Sequence, residues 1–194
     1  NIVLPFDSNV KSALAEAGKL KGVSMIAPSH GIIWRKHIDQ ILANYTRWSN
    51  NETENQAVIV YDTMWHSTEK MAAVIAEQFE AKGIPYELKN IKANDISDIM
   101  TSILSAKYIA VGSPTLNNNM LPTVSAFLTY FKGLAPKKRT GFAFGSYGWG
   151  GQSVEQVDNI LKEAGLTTLP FLRMQYIPDE EKVRREVKTQ LESL

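Results

Sequence analysis

The stretch that decides the fold is "AVIVYDTMWHSTEK", residues 57–70. Its first residues form an unbroken apolar run, AVIV, as expected for a strand buried on both faces. A helical pattern follows over 70–82, with Met71, Val74, Ile75 and Phe79 on one face. Between them lies the loop "TMWHST", residues 63–68, with three hydroxyl residues, no glycine and no lysine. Strand, polar loop and helix make one β-α unit, and the rest of the chain repeats the alternation.

Working outward, IPYELKNI (84–91) reads as a second strand, and Ile96, Ile99, Met100, Ile103 and Leu104 mark a second helix. YIAVGSP (108–114) is a third strand, followed by a helix carrying Val124, Phe127, Leu128, Phe131 and Leu134. GFAFGSYG (141–148) is a fourth, followed by Val154, Val157 and Leu161. TLPFLRMQYIP (168–178) is a fifth, placed at an edge because Pro170 cannot donate to a ladder. A last helix starts at Asp179 as N-cap and carries Val183, Val187 and Leu191. This alternation predicts an α/β fold: five parallel strands in the order 2-1-3-4-5, doubly wound, with helices on both faces. Such sheets bind ligands beyond the carboxyl ends of their strands. That points to the loops after strands one, three and four.

The loop at 63–68 opens a helix, whose first turn has unpaired N–H groups and the positive end of the dipole. That end suits a phosphate, with Thr63, Ser67 and Thr68 as added donors. Lacking Lys and G-x-G-x-x-G, it fits neither a P-loop nor a dinucleotide pyrophosphate, and a phosphate monoester fits better. A plain N-cap at Ser67 or Thr68 fits equally well. "SPTLNNNMLP" (113–122) is polar and turn-prone; its amides suit a heterocycle edge, and it also reads as a turn alone. "GSYGWGGQS" (145–153) has four glycines for close approach, with Tyr147 and Trp149 as flat apolar faces. A phosphate seat beside walls for a planar ring describes a mononucleotide with a large ring, FMN by preference.

"YDTMWHSTEKMA", "GSPTLNNNMLP" and "GSYGWGG" together resemble the flavodoxin domain of flavodiiron proteins, also called A-type flavoproteins. The resemblance covers residues 56–194. It implies that Thr63, Met64, Trp65, His66, Ser67 and Thr68 hold the FMN phosphate. It also implies that Pro114, Thr115, Leu116 and Asn117, with Ser146, Tyr147, Gly148, Trp149, Gly150 and Gly151, frame the isoalloxazine. Ordinary flavodoxins usually carry T-x-T-G-x-T in the first loop; Met64, Trp65, His66 and Ser67 stand at the middle positions here and favour the flavodiiron type.

A polar run, SNNETENQ (49–56), reads as a linker separating this domain, 55–194, from residues 1–50. The first segment shows a helix near 8–19 with Val10, Ala13, Leu14 and Ala17, a short strand VSMIAP, and a helix with Ile38, Ile41, Leu42, Tyr45 and Trp48. That is too little for an independent core. "APSHGIIWR" resembles the closing segment of the metallo-β-lactamase-like domain of flavodiiron proteins, which implies that His30 is a ligand of a diiron centre. One histidine cannot hold two irons, and the family's H-x-E-x-D-H motif is not in this chain. A chain that begins at Asn1 is therefore expected to be part of something longer, whose remaining lactamase-like portion packs on the apolar residues of 1–50. The family further implies a head-to-tail homodimer, an external electron donor such as a rubredoxin, and reduction of dioxygen to water or nitric oxide to nitrous oxide.

Composition narrows the rivals. Among 194 residues, Lys+Arg number 21 and Asp+Glu 20, so net charge argues for neither nucleic acid nor an acidic membrane surface. With no cysteine, redox chemistry needs a bound cofactor. No transmembrane helix or signal peptide is expected, and a cytoplasmic location is the default. The basic run Lys137-Lys138-Arg139 reads as a solvated loop. A stand-alone flavodoxin-type FMN carrier remains the alternative. A receiver domain would need an acidic cluster at the strand ends, where only Asp62 stands.

Overall fold

The computed structural model describes residues 4–192, which fall into two compact units, divided in sequence between Glu52 and Thr53. The larger unit contains the sheet. Its strand β1 is Glu54–Tyr61, leading to helix α3, Ser67–Ala81. The smaller unit holds α1, Asp7–Ala17, and α2, Ile38–Ser49. The polar run called a linker is thus shorter than expected: α2 lasts through Ser49 and β1 begins at Glu54.

After α3 come β2 (Tyr86–Asn90), α4 (Ile96–Ile103) and β3 (Ala106–Gly112). A two-stranded hairpin follows, β4 (Thr115–Leu116) with β5 (Asn119–Met120), then α5 (Pro122–Leu134). The chain continues through β6 (Thr140–Tyr147), α6 (Gln152–Glu163), β7 (Thr167–Thr168), β8 (Leu172–Gln175) and α7 (Glu180–Glu192). All pairs of the main sheet are parallel, in the order β2-β1-β3-β6. Both β7 and β8 then pair with β6. This is the expected 2-1-3-4-5 order with its last place filled by two short strands. Pro170 explains the split: the ladder to β6 stops near it and resumes at Leu172, after the Leu169 amide donates to the Gly141 carbonyl.

The apolar strands are buried on both faces because each face carries its own core. One core joins α4, α5 and α6 through residues such as Ile99, Phe127, Phe131 and Val157. The other joins α3 and α7 through Met71, Phe79, Val183 and Val187. Asp179 caps α7 as expected, its carboxylate accepting from the Lys182 amide at 3.1 Å.

Arg139 corrects the reading of the basic run. It is 4% exposed and donates to the carbonyls of Ile103 (3.3 Å) and Leu104 (2.7 Å) at the end of α4, and to Lys137. A cation there satisfies orphan carbonyls at the negative end of the helix dipole. Burial pulls the guanidinium down to about 10 without neutralising it at physiological pH.

In the smaller unit α1 packs on α2, and within α2 Tyr45 and Trp48 lie edge to face at 5.6 Å. The expected strand VSMIAP is not one. Only Ile26 pairs, antiparallel to Trp34, through two 2.9 Å bonds. A strand needs a neighbour along its length, and here the chain turns back for one residue pair alone. Leu20, Met25, Ile32 and Ile33 are exposed.

A candidate cofactor cleft at the carboxyl edge of the sheet

Asp62 follows β1 at the carboxyl edge and is fully buried. Its carboxylate accepts from the Thr63 amide at 2.6 Å, the Thr123 hydroxyl at 2.5 Å and the Lys92 ammonium at 2.9 Å. Lys92 also donates to the Thr63 carbonyl at 2.9 Å. The first loop is therefore anchored from below by a cation, although none of its own residues is Lys or Arg. A buried charge with this many partners holds its neighbours firmly, because leaving it unpaired costs several kcal/mol.

Above this anchor the loop turns into α3. The helix starts earlier than the sequence suggests, at Ser67, and its N-cap is neither Ser67 nor Thr68. His66 takes that place in a left-handed conformation, φ +64°, with no side-chain cap. The hydroxyls are thereby released for other uses. The Thr68 hydroxyl is buried and bonds that of Ser146 at 3.0 Å, tying the first loop to the end of β6. The Thr63 hydroxyl is buried and has no partner. His66 itself points outward, its Nδ1 2.5 Å from Glu69. That bond holds the Glu69 carboxyl below its ordinary value, while burial, ahead of the Glu69 contact, raises Tyr61.

The loop after β3 is built rather than flexible. Its hairpin turns at Asn117 and Asn118, with φ of +49° and +63°, the primed geometry that matches strand twist and that Asn tolerates. Gln156 of α6 clamps it, accepting from the Met120 amide at 2.9 Å and donating to Asn119 at 3.1 Å. Thr115 and Ser153 join their hydroxyls at 2.8 Å. The third loop rises from β6, where Gly145 is still within the strand; a Cβ there would overlap the Ser113 carbonyl oxygen.

These loops enclose a cavity of about 750 Å³. Met64, Trp65, Ser67, Pro114, Thr115, Leu116, Asn117, Ser146, Tyr147, Gly148, Trp149 and Gly150 line it. Thr63, His66, Thr68 and Gly151 do not: the first and third are buried beneath, His66 faces away, and Gly151 is packed against Arg173 and Tyr147. Three lining residues went unforeseen, Asn118, Tyr176 and Ile177. The last two follow the fifth strand position, and the rule that every carboxyl-end loop meets at one edge would have found them. Trp65 and Trp149 are 85% and 96% exposed at this edge. The size suits a small-molecule site, and the first turn of α3, where Ser67 lines the cavity, suits an anionic group.

His30 lies in the smaller unit and is exposed, with the Ser29 hydroxyl 3.0 Å from its Nδ1. Among the described residues no group of three or more His, Cys, Asp or Glu is placed to hold a metal. Nor, among them, is any helix long and apolar enough to cross a membrane.

The family model for flavodoxin matches residues 59–188, and the chain belongs to the flavodoxin family. It is 41% identical over 188 residues to a nitric oxide reductase of Moorella thermoacetica, covering 95% of this chain and 47% of that protein. In structure it is similar to the rubredoxin oxygen:oxidoreductase of the anaerobe Desulfovibrio gigas, with a TM-score of 0.89, 35% identity, and coverage of 98% of this chain and 49% of that one. A flavodiiron protein from Giardia intestinalis superposes with a TM-score of 0.88 at 25% identity, covering 96% of this chain and 47% of that one. The chain thus spans about half the length of these three relatives.

Substituting Gly145→Ala forces β6 away from Ser113 and should cost about 2 kcal/mol, read as a lower urea midpoint. An unchanged midpoint would show that the close approach is not required.

Proposed function

We propose that this chain is the FMN-binding, electron-transfer part of a flavodiiron oxidoreductase that reduces dioxygen to water, nitric oxide to nitrous oxide, or both. The observation that carries the cofactor reading is the Thr63 hydroxyl, buried without a partner in the loop between β1 and α3, the loop whose Met64, Trp65 and Ser67 line the cavity. A buried hydroxyl costs free energy unless it is paired, and a ligand phosphate would pair it. Residues 63–68 would hold that phosphate with backbone amides and hydroxyls. Residues 114–117 and 146–151 would frame the ring, excluding water from its faces. When bound, FMN supplies one- and two-electron chemistry, and the chain sets its orientation and environment.

A stand-alone FMN carrier accounts for the sheet and its cleft. It does not account for similarity to much longer proteins that continues over nearly the whole chain, well outside residues 59–188. We therefore assign residues 1–50 to the end of a metallo-β-lactamase-like domain, residues 55–194 to the FMN-binding domain, and His30 to a diiron site. Among the described residues no group could hold a metal, so the other ligands of that site would come from the lactamase-like portion. The exposed apolar residues of the smaller unit offer a surface for it. A head-to-tail homodimer, a rubredoxin-type electron donor and a cytoplasmic location complete the proposal.

Two measurements check it. Thr63→Val removes a hydroxyl that has no partner of its own, so the flavin-free chain should keep or gain stability while its Kd for FMN rises about tenfold. An unchanged Kd would remove the phosphate role. Metal analysis of the full-length protein beside its visible spectrum should give about two irons per flavin. Flavin without iron would contradict the oxidoreductase reading and leave an electron carrier.

A further inference from the structure

Tyr176 stands in a conformation that its side chain disfavours. Its φ is +56°, and an aromatic residue has none of the local hydrogen bonding that lets Asn tolerate that region. Glycine would make the same turn without strain. Burial does not compensate, since Tyr176 is 60% exposed. Residues held this way persist where the surroundings over-determine them, and they cluster at binding sites.

The surroundings here are specific. The Tyr176 amide donates to the Tyr147 carbonyl at 2.7 Å, and the Gln175 side-chain amide donates to the Gly148 carbonyl at 2.9 Å. A Cβ on Gly148 would meet the Tyr176 ring at 3.9 Å, and one on Gly151 would meet the Arg173 side chain at 2.9 Å. The end of β8 and the turn after it are thus built against the glycine loop, and Tyr176 and Ile177 wall the same cavity. The other strained non-glycine residues of the larger unit sort by place. His66, Asn117 and Asn118 lie in loops at the cavity edge, whereas Ala135 and Lys138 lie in the turn before β6.

We propose that the turn after β8 is a fourth wall of the cofactor cleft, with Tyr176 contacting the planar ring and Gln175 positioning the glycine loop against it. This rests on the FMN reading above. The ligand chemistry is a flat aromatic heterocycle, for which an exposed tyrosine face at a cavity mouth is suited.

The test uses the flavin-free chain and FMN, following flavin fluorescence on titration, visible circular dichroism of the complex, and urea unfolding. In Tyr176→Gly the strain disappears, so the urea midpoint should hold or rise, while the Kd for FMN rises about tenfold and the visible dichroism changes. In Tyr176→Phe the ring remains and the Kd should stay within about twofold. Gln175→Leu cannot donate to Gly148 and should weaken FMN about fivefold. If the wild-type chain binds FMN and Tyr176→Gly binds it with the same Kd and dichroism, the inference falls alone. If the wild-type chain does not bind FMN, the cofactor reading falls and takes the inference with it.

Discussion

One buried carboxylate organises the functional edge of this protein. Asp62 receives the Thr63 amide, the Thr123 hydroxyl from the start of α5 and the Lys92 ammonium from the turn after β2. Two segments far apart in sequence, at Lys92 and Thr123, are thereby fixed to the end of β1. The first loop inherits its position from this anchor, because Lys92 also grips the Thr63 carbonyl. The Thr68–Ser146 hydroxyl pair carries that order on to β6 and the glycine loop. Remove the carboxylate, and Lys92 and the loop lose their shared partner.

Within the strands and helices of the sheet, local preferences and the global fold agree. Strands are apolar where both faces are covered, helices of the sheet bury one stripe, and Asp179 caps the start of α7. At the edge they disagree. A threonine hydroxyl is buried without a partner, a histidine begins a helix in a left-handed conformation, and a tyrosine takes a glycine's place. Ala135 and Lys138 also carry positive φ in the turn before β6, but the violations at the edge gather in the loops around one cavity, as they do at binding sites.

Much of this was legible before the structure. The AVIV run, the helical stripes and the strict alternation are strong periodic signals, and together they dictate a parallel sheet and the edge where its loops meet. Thr63 to Thr68 stood out because a strand-to-helix loop without glycine or lysine is unusual for a phosphate. What was not legible depends on contacts remote in sequence. Lys92 reads as a surface residue until Asp62 is beside it, and Arg139 reads as part of a solvated run until the end of α4 needs a donor. Three asparagines announce a turn, but only the pairing of Thr115 with Met120 makes it a hairpin. Pro170 correctly signalled an edge and also broke the strand in two. VSMIAP has the composition of a strand but, among the described residues, pairs only at Ile26.

FMN has a phosphate end and a ring end, and affinity separates what each contributes to binding. The measurement that bears on it most directly is a calorimetric titration of the flavin-free chain with FMN and, in parallel, with riboflavin, which has the same ring and no phosphate. Residues 63–68 acting as a phosphate seat predict that FMN binds about a hundredfold more tightly, since several charge-assisted hydrogen bonds depend on that group. Equal affinities for the two, or no binding of either, would contradict it.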